Sequence, residues 1–424
     1  MCCIRTNPLN LYAHFRNKST GNVCITDKII YNFKERMHRI YLDNAATTPM
    51  RDEVVDVLHT VMKEHYGNPS SIHSFGRSSR TLIEKARKTI AGYLHASPSE
   101  IVFTSGGTEA DNMVLRSAVR DLGVQTIITS RTEHHAVLNT AEQLGREYGT
   151  SLKFVSPDPD GTPDPGHLEE LLKGDSTRKL VSLMHVNNEI GNRIDIDTVA
   201  RICKEYGALF HSDAVQSVGH WEWDLQRTPV DFLAASAHKF HGPKGVGFAF
   251  IRKKTGMQPL IFGGEQERGY RAGTEAVHNI AGMEQAFKMA YDRLEEERAY
   301  VSGLKDHFLA RLSARIPGVV FNGSGECAER STYTLVNVRL PFSEDKAQML
   351  LFHLDLKGIA CSQGSACQSG SLSGSHVLNA ILSEEALRKP SLRFSFSSFN
   401  TKEELDYVVD TLAEFAAGQG GVIS

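Results

Sequence analysis

Between about residue 78 and residue 250, short apolar runs alternate with stretches in which apolar residues recur at helical spacing. Leu82, Ala86, Ile90 and Leu94 recur every fourth residue and so share one helix face. Ile101-Val102-Phe103-Thr104 then reads as a buried strand that ends in Ser105-Gly106-Gly107. Runs at Thr126–Thr129, Leu152–Val155, Leu180–Val186, Ala208–Asp213, Phe232–Ser236 and Val246–Ile251 predict further strands, with helices between them that include Ala136–Tyr148 and Asp197–Tyr206. Strand-helix alternation of this kind predicts an α/β fold with a mostly parallel sheet covered on both faces. After Gly273 the texture changes. One long helix is expected from about Asn279 to Ser313, followed by strands at Tyr333–Arg339 and Ser391–Ser397 and helices at Asp345–Lys357 and Lys402–Phe415. That pattern suggests a smaller α+β domain. Gly358–Gly374, dense in Gly and Ser, is expected to be a mobile loop. The expected division is an extension at 1–36, a large domain at 37–290 and a small domain at 291–424.

Composition narrows the class. The 424 residues carry 47 Lys+Arg against 50 Asp+Glu, a net charge of -3, with 41% hydrophobic residues. This balance gives no basic face for direct nucleic-acid binding, and no segment approaches the ~18 apolar residues of a membrane span. The seven cysteines form no CxxC and no cluster with zinc spacing, which fits a reducing compartment without a structural metal. The first 36 residues hold three of those cysteines, six basic and two acidic residues, and no apolar signal core. Their basic bias would suit a mitochondrial presequence. We read them as an extension ahead of Met37, and the protein as cytoplasmic.

Three segments carry candidate chemistry. Ser105-Gly106-Gly107-Thr108 leads a strand into a helix, whose first N–H groups can hold an anion such as a phosphate. Alone it reads more readily as an ordinary turn. Ser236-Ala237-His238-Lys239 ends another strand, where desolvation favours a neutral lysine able to form a Schiff base. Alone, that lysine could lie on the surface. Asp213 ends a third strand, where a buried carboxylate needs a cation, as a protonated pyridine ring would provide. Gln216 follows three residues later, and His134 offers a flat ring. A phosphate turn, an amine and a carboxylate at strand ends of one sheet point to pyridoxal 5'-phosphate (PLP).

These segments also resemble a known family. Tyr41-Leu42-Asp43-Asn44-Ala45-Ala46-Thr47-Thr48-Pro49 looks like the opening of cysteine desulfurases, as do Thr132-Glu133-His134-His135 and Met184-His185-Val186-Asn187-Asn188-Glu189-Ile190-Gly191. The likeness continues in His211-Ser212-Asp213-Ala214-Val215-Gln216, Arg271-Ala272-Gly273-Thr274, Gly364-Ser365-Ala366-Cys367 and Leu392-Arg393-Phe394-Ser395. It covers roughly residue 39 to the C-terminus and implies the class V aminotransferase group of fold-type I PLP enzymes. In that architecture a large domain with a seven-stranded sheet joins a smaller C-terminal domain, and the molecule is a homodimer.

The resemblance implies that Lys239 is the Schiff-base lysine and that Asp213 meets the pyridine nitrogen. His134 would stack on the ring and move protons, while Asn187 and Gln216 would contact the ring oxygen. Gly107, Thr108, Ser236 and His238 would hold the phosphate, joined by Thr274 from the other subunit. Arg393 and Asn187 would bind the substrate, Arg393 at its carboxylate. Cys367 would take sulfur from L-cysteine as a persulfide, releasing alanine. It would pass the sulfur to an iron–sulfur scaffold or a tRNA-thiolation carrier, and could ligate a cluster transiently. The context Ser362-Gln363-Gly364-Ser365-Ala366-Cys367 resembles the branch that serves iron–sulfur assembly and tRNA thiolation. Two features depart from the family pattern: Cys361, which could be buried, a resolving thiol or a relay, and Asn192-Arg193 where glutamine is expected. A selenocysteine lyase and a silent scaffold of the same fold are the alternatives.

Overall fold

Strand and helix boundaries follow the apolar pattern closely. The computed structural model describes residues 39–363 and 374–418, so both the 1–36 extension and Cys367 lie outside the described residues. The described strands are β1 (Ile40–Tyr41), β2 (Ile101–Thr104), β3 (Thr126–Ser130), β4 (Ser151–Val155), β5 (Lys179–Ser182), β6 (Leu209–Asp213), β7 (Phe232–Ser236), β8 (Gly247–Ile251), β9 (Val320–Asn322), β10 (Leu335–Arg339), β11 (Ile359–Ala360) and β12 (Ser391–Ser395). A seven-stranded sheet runs in the order β2-β8-β7-β6-β5-β3-β4. Its pairings are parallel except those of β8 with β2 and β7.

Period-two alternation divides each central strand between two cores. In β7, Phe232 and Ala234 enter the core under the helices Gly107–Leu122 and His135–Tyr148. Leu233 and Ala235 enter the opposite core, with Phe287 and Ile90. Because both faces are covered, β7 and β8 are buried along their whole length, and so are the polar residues His211, Ser212 and Asp213 of β6.

A separate core gathers Val301, Phe308, Val338, Phe394 and Leu412 around a three-stranded antiparallel sheet, β12-β10-β9. The short parallel pair β1-β11 joins this core through Ile40 and Ile359, so the first strand packs with the C-terminal elements.

Two expectations are corrected. The single helix over 279–313 is two, Val277–Asp292 and Leu294–Arg315, broken at Arg293 (φ -110, ψ 12). The break lets Phe287 face the large core and Phe308 the small one. The strand expected to reach Val186 ends at Ser182, although Leu183 and His185 still donate to carbonyls of β6. The chain then turns back, with Asn187 N–H bonded to Asn192 O at 2.8 Å. In the loop expected at 358–374, β11 occupies Ile359–Ala360, and 364–373 lie outside the described residues.

Candidate active site

β2, β3, β6 and β7 are parallel and end at one edge of the large sheet, and each delivers a polar residue there. Such an edge is where open α/β sheets form ligand clefts. A cleft of about 230 Å³ lies at it, with Lys239, Asp213, His134 and Arg393 in its wall.

Lys239 closes a tight turn just after β7, and its Nζ donates to the carbonyls of Ala45 and Ala46, the latter at 2.9 Å. Asp213 is buried and accepts from Val215 N–H at 2.9 Å. Burial, helped by the nearby Asp111, raises its carboxyl to about 6. His134 caps the helix His135–Tyr148, its Nδ1 accepting from Ala136 N–H at 3.1 Å. Burial lowers its pKa, so the ring is neutral at pH 7, and Nε2 carries the proton.

Gly107 begins a 16-residue helix at the cleft wall. A Cβ there would stand 2.4 Å from Val215 Cγ2, so only glycine allows this approach. The first N–H groups of that helix, with Thr108, Ser236 and His238, form an anion-binding corner. His238 Nδ1 lies 3.2 Å from Thr47 Oγ1, and burial lowers its imidazole to about 4, leaving a neutral donor. Glu109 accepts from Ser105 N–H and from Arg271, both at 2.8 Å, tying the Arg271–Thr274 segment to the corner.

Arg393, on β12, is 2% exposed. Its Nη2 donates to Asp43 Oδ1 at 2.8 Å and its Nη1 to Asn188 O at 2.7 Å, while Nε has no partner. Gln216 lines the cleft and donates to Ala45 O at 2.9 Å.

Asn187 and Thr274 do not line this chain's cleft, and the place expected for Thr274 is the other subunit's site. Asn187 is a strut beneath the wall: it donates to Thr132 O at 2.8 Å and accepts from the N–H groups of Glu189 and Ile190, and it is Asn188 that lines the cleft. Thr274 is exposed and lines no part of this chain's cleft.

Sequence reasoning assigned no role to Asp43, Asp111 or Asn188. Asp111 is fully buried in the cleft wall, with Oδ1 3.4 Å from His211 Nε2, and burial raises its carboxyl to about 8. It stands one helical turn after Gly107, a spacing that puts both on one face. Cys361 packs against the small core, and burial, helped by Asp43, pushes its thiol up to about 12. Such a thiol stays protonated at neutral pH, which favours the reading of Cys361 as a packing residue. Asn192 bonds Asp160 O, Thr162 Oγ1 and Ser324 N–H, and Arg193 stacks 4.3 Å over Trp221. Among the described residues, no group of three or more His, Cys, Asp or Glu could hold a metal ion, and no helix is long and apolar enough to cross a membrane.

The sequence pattern of the family described as aminotransferase class-V matches residues 40–408. The chain is also 44% identical over 375 residues, 88% of its length and 93% of the other's, to the cysteine desulfurase IscS of Dictyoglomus turgidum. It belongs to the class-V aminotransferases, in the cysteine desulfurase group. Among solved structures, a NifS-like protein superposes with a TM-score of 0.82 at 35% identity, covering 90% of this chain and 100% of that one. SspA in complex with cysteine superposes with a TM-score of 0.70 at 29% identity, covering 85% and 100%.

The group is PLP-dependent. The cleft fits that cofactor on chemical grounds: Asp213 offers a buried carboxylate in need of a cation, and the glycine-floored helix start offers donors to a phosphate. The flat ring of His134 stands in the wall with them.

Proposed function

We propose that this protein is a cysteine desulfurase that moves the sulfur of L-cysteine onto Cys367 and releases L-alanine. The observation that carries the reading is the antiparallel bridge between Ser362 and Arg393, with Arg393 N–H to Ser362 O at 2.7 Å. It ties the chain five residues before Cys367 to the arginine in the cleft wall. Five residues span at most roughly 17 Å.

Lys239, Asp213, Gly107, Thr108, Ser236 and His238 would hold PLP, which supplies an electron sink for negative charge developing at the substrate carbons. The Arg393 fork, held by Asp43 and Asn188, receives the substrate carboxylate. Lys239 Nζ takes the Cα proton. His134, neutral with its proton on Nε2, moves a second proton within the cleft. The Cys367 thiolate attacks the substrate sulfur: the carbon–sulfur bond breaks, the sulfur–sulfur bond forms, and the carbon is reprotonated. One cysteine and one thiol thus become one alanine and one persulfide, with no outside oxidant.

The molecule acts as a homodimer in this reading. The exposed Thr274 would complete the partner's site. The persulfide would pass to an iron–sulfur scaffold or a tRNA-thiolation carrier, where Cys367 could transiently meet a cluster. A large domain at 37–290 and a small one at 291–424 would adjoin near the break at Arg293, with β1 lending Ile40 to the small domain's core. A reducing compartment such as the cytoplasm suits a reaction that starts from a free thiol.

The test is alanine formation from L-cysteine by PLP-loaded protein with a thiol reductant, beside Cys367→Ala. Alanine from the wild type and almost none from the variant supports the reading. Equal alanine from both removes Cys367 from the reaction.

A further inference from the structure

Glu189 joins four parts of the molecule without a place in the chemistry above. Its side chain is fully buried. One oxygen accepts from Ser375 Oγ, and the other, Oε1, has no hydrogen-bond partner and stands 4.0 Å from His376 Nδ1. His376 Nε2 lies 2.8 Å from the carbonyl of Glu133, the residue before His134. The His376 and His135 rings lie 4.2 Å apart between centroids. On the backbone side, the Glu189 carbonyl accepts from Asn337 of β10 at 3.1 Å, and the preceding carbonyl, that of Asn188, accepts from Arg393 at 2.7 Å.

A buried carboxylate with so few donors is costly, and an apolar residue would fill the space at less expense. What it does hold is one end of a particular segment. Ser375 follows Cys367 by eight residues, and its hydroxyl also caps the helix His376–Ile381 through Leu378 N–H at 3.1 Å. Val377 and Leu378 pack against Ile190, the neighbour of Glu189. On the other side of Cys367, Ser362 is bridged to Arg393.

We propose that Glu189, Ser375 and His376 form a clasp that positions Cys367 for sulfur transfer, by tying the chain beyond it to the loop that carries His134. The proposal rests on the desulfurase reading. Tethering a reacting group at both ends confines it near its target and raises its effective concentration there. Ser362 fastens one end to the substrate arginine, and the clasp fastens the other to the shoulder of the cofactor site. These are positioning residues: they touch neither substrate nor cofactor. Their loss therefore acts on the transfer step and spares the binding steps.

The experiment compares PLP-loaded wild type, Ser375→Ala, Ser375→Thr, Glu189→Gln and Cys367→Ala. L-cysteine affinity is read from the cofactor's absorbance. The persulfide formed in a single turnover is read by alkylation and mass spectrometry. Ser375→Ala and Glu189→Gln are expected to bind PLP and L-cysteine within about twofold of wild type, yet to form the persulfide at least about tenfold more slowly. Ser375→Thr, which keeps the hydroxyl, restores the rate. A wild-type persulfide rate in Ser375→Ala overturns the clasp, as does a loss of cysteine affinity that matches the loss of rate. If Glu189→Gln does not fold, Ser375→Ala decides. A wild type that binds cysteine but forms no persulfide overturns the desulfurase reading and the clasp with it. Persulfide in the wild type and none in Cys367→Ala, with Ser375→Ala unaffected, removes the clasp alone.

Discussion

Asp43 and Arg393 are 350 residues apart in the chain, and their side chains meet at 2.8 Å. The pair joins the turn after β1 to β12, and it orients the one guanidinium that the described residues place in the cleft wall. Because Asn188 O takes a second N–H, the fork is fixed in plane before any carboxylate arrives.

Arg393→Lys should therefore be a severe change despite conserving charge. A single ammonium cannot hold Asp43 and Asn188 O and still present a flat face to a carboxylate. We expect KM for L-cysteine to rise by about tenfold or more, near 1.4 kcal/mol, with a smaller change in kcat. Steady-state alanine formation measures both. Unchanged KM would show that the substrate carboxylate binds elsewhere.

The floor of the phosphate corner gives a second prediction. Gly107→Ala puts a methyl 2.4 Å from Val215 Cγ2, so either the helix start or Val215 must shift. PLP affinity should fall by about tenfold or more, because the N–H groups lose their aim at the phosphate. Adding Val215→Ala makes room and should recover most of the loss, a non-additive pair in a double-mutant cycle. Equilibrium dialysis of PLP reads all four proteins. Additive losses would mean that the clash is not the cause.

The central strands β7 and β8 were legible because each is a short apolar run bounded by turn residues, whereas the edge strand β4 is only partly buried and β5 stops at Ser182, short of the apolar run that continues to Val186. The residues at strand ends were legible for a related reason: Asp213 and Lys239 are polar groups placed where a buried strand stops. Contacts between distant segments were not. Nothing local in Asp43 announces Arg393, and nothing in Glu189 announces Ser375, because ion pairs and clasps follow tertiary packing. The break at Arg293 was hidden for the opposite reason. Both halves keep helical spacing, and only the change of core from Phe287 to Phe308 requires the kink.

Cys361 should be inert where Cys367 is reactive. A thiol held up to about 12 by burial has almost no thiolate at pH 7.5, and the thiolate is the nucleophile. Native protein treated with iodoacetamide should carry no label on Cys361, while denatured protein should carry it. Cys361→Ala should retain wild-type alanine formation. Labelling of Cys361 in the native protein would reopen its role as a resolving thiol.

Asp111 and Asp213 each weaken the cofactor-free fold as pH rises. Burial raises both carboxyls, Asp111 to about 8 and Asp213 to about 6, against roughly 3.9 in an unfolded chain. Below pH 4 both states are protonated and neither group costs stability. As pH climbs past 4 the unfolded chain releases these protons while the folded one keeps them, so the folded state loses ground. The loss accrues at up to about 1.4 kcal/mol per pH unit for each group, ending near pH 6 for Asp213 and near pH 8 for Asp111. Buried histidines held below their usual value, among them His185, His211 and His238, act in the opposite sense up to about pH 6.5, so the carboxyl effect is read against a variant rather than from the bare melt. The Tm of Asp111→Asn should gain on that of the wild type from pH 6 to pH 8, since its amide has no proton to lose. PLP should flatten the Asp213 part, because a pyridinium beside the carboxylate removes the reason for its raised value. Thermal melts at pH 5, 6, 7 and 8, with and without PLP, make the comparison. A cofactor-free Asp111→Asn as steep above pH 6 as the wild type would show that Asp111 is already ionised in the folded protein, with His211 as its counter-charge.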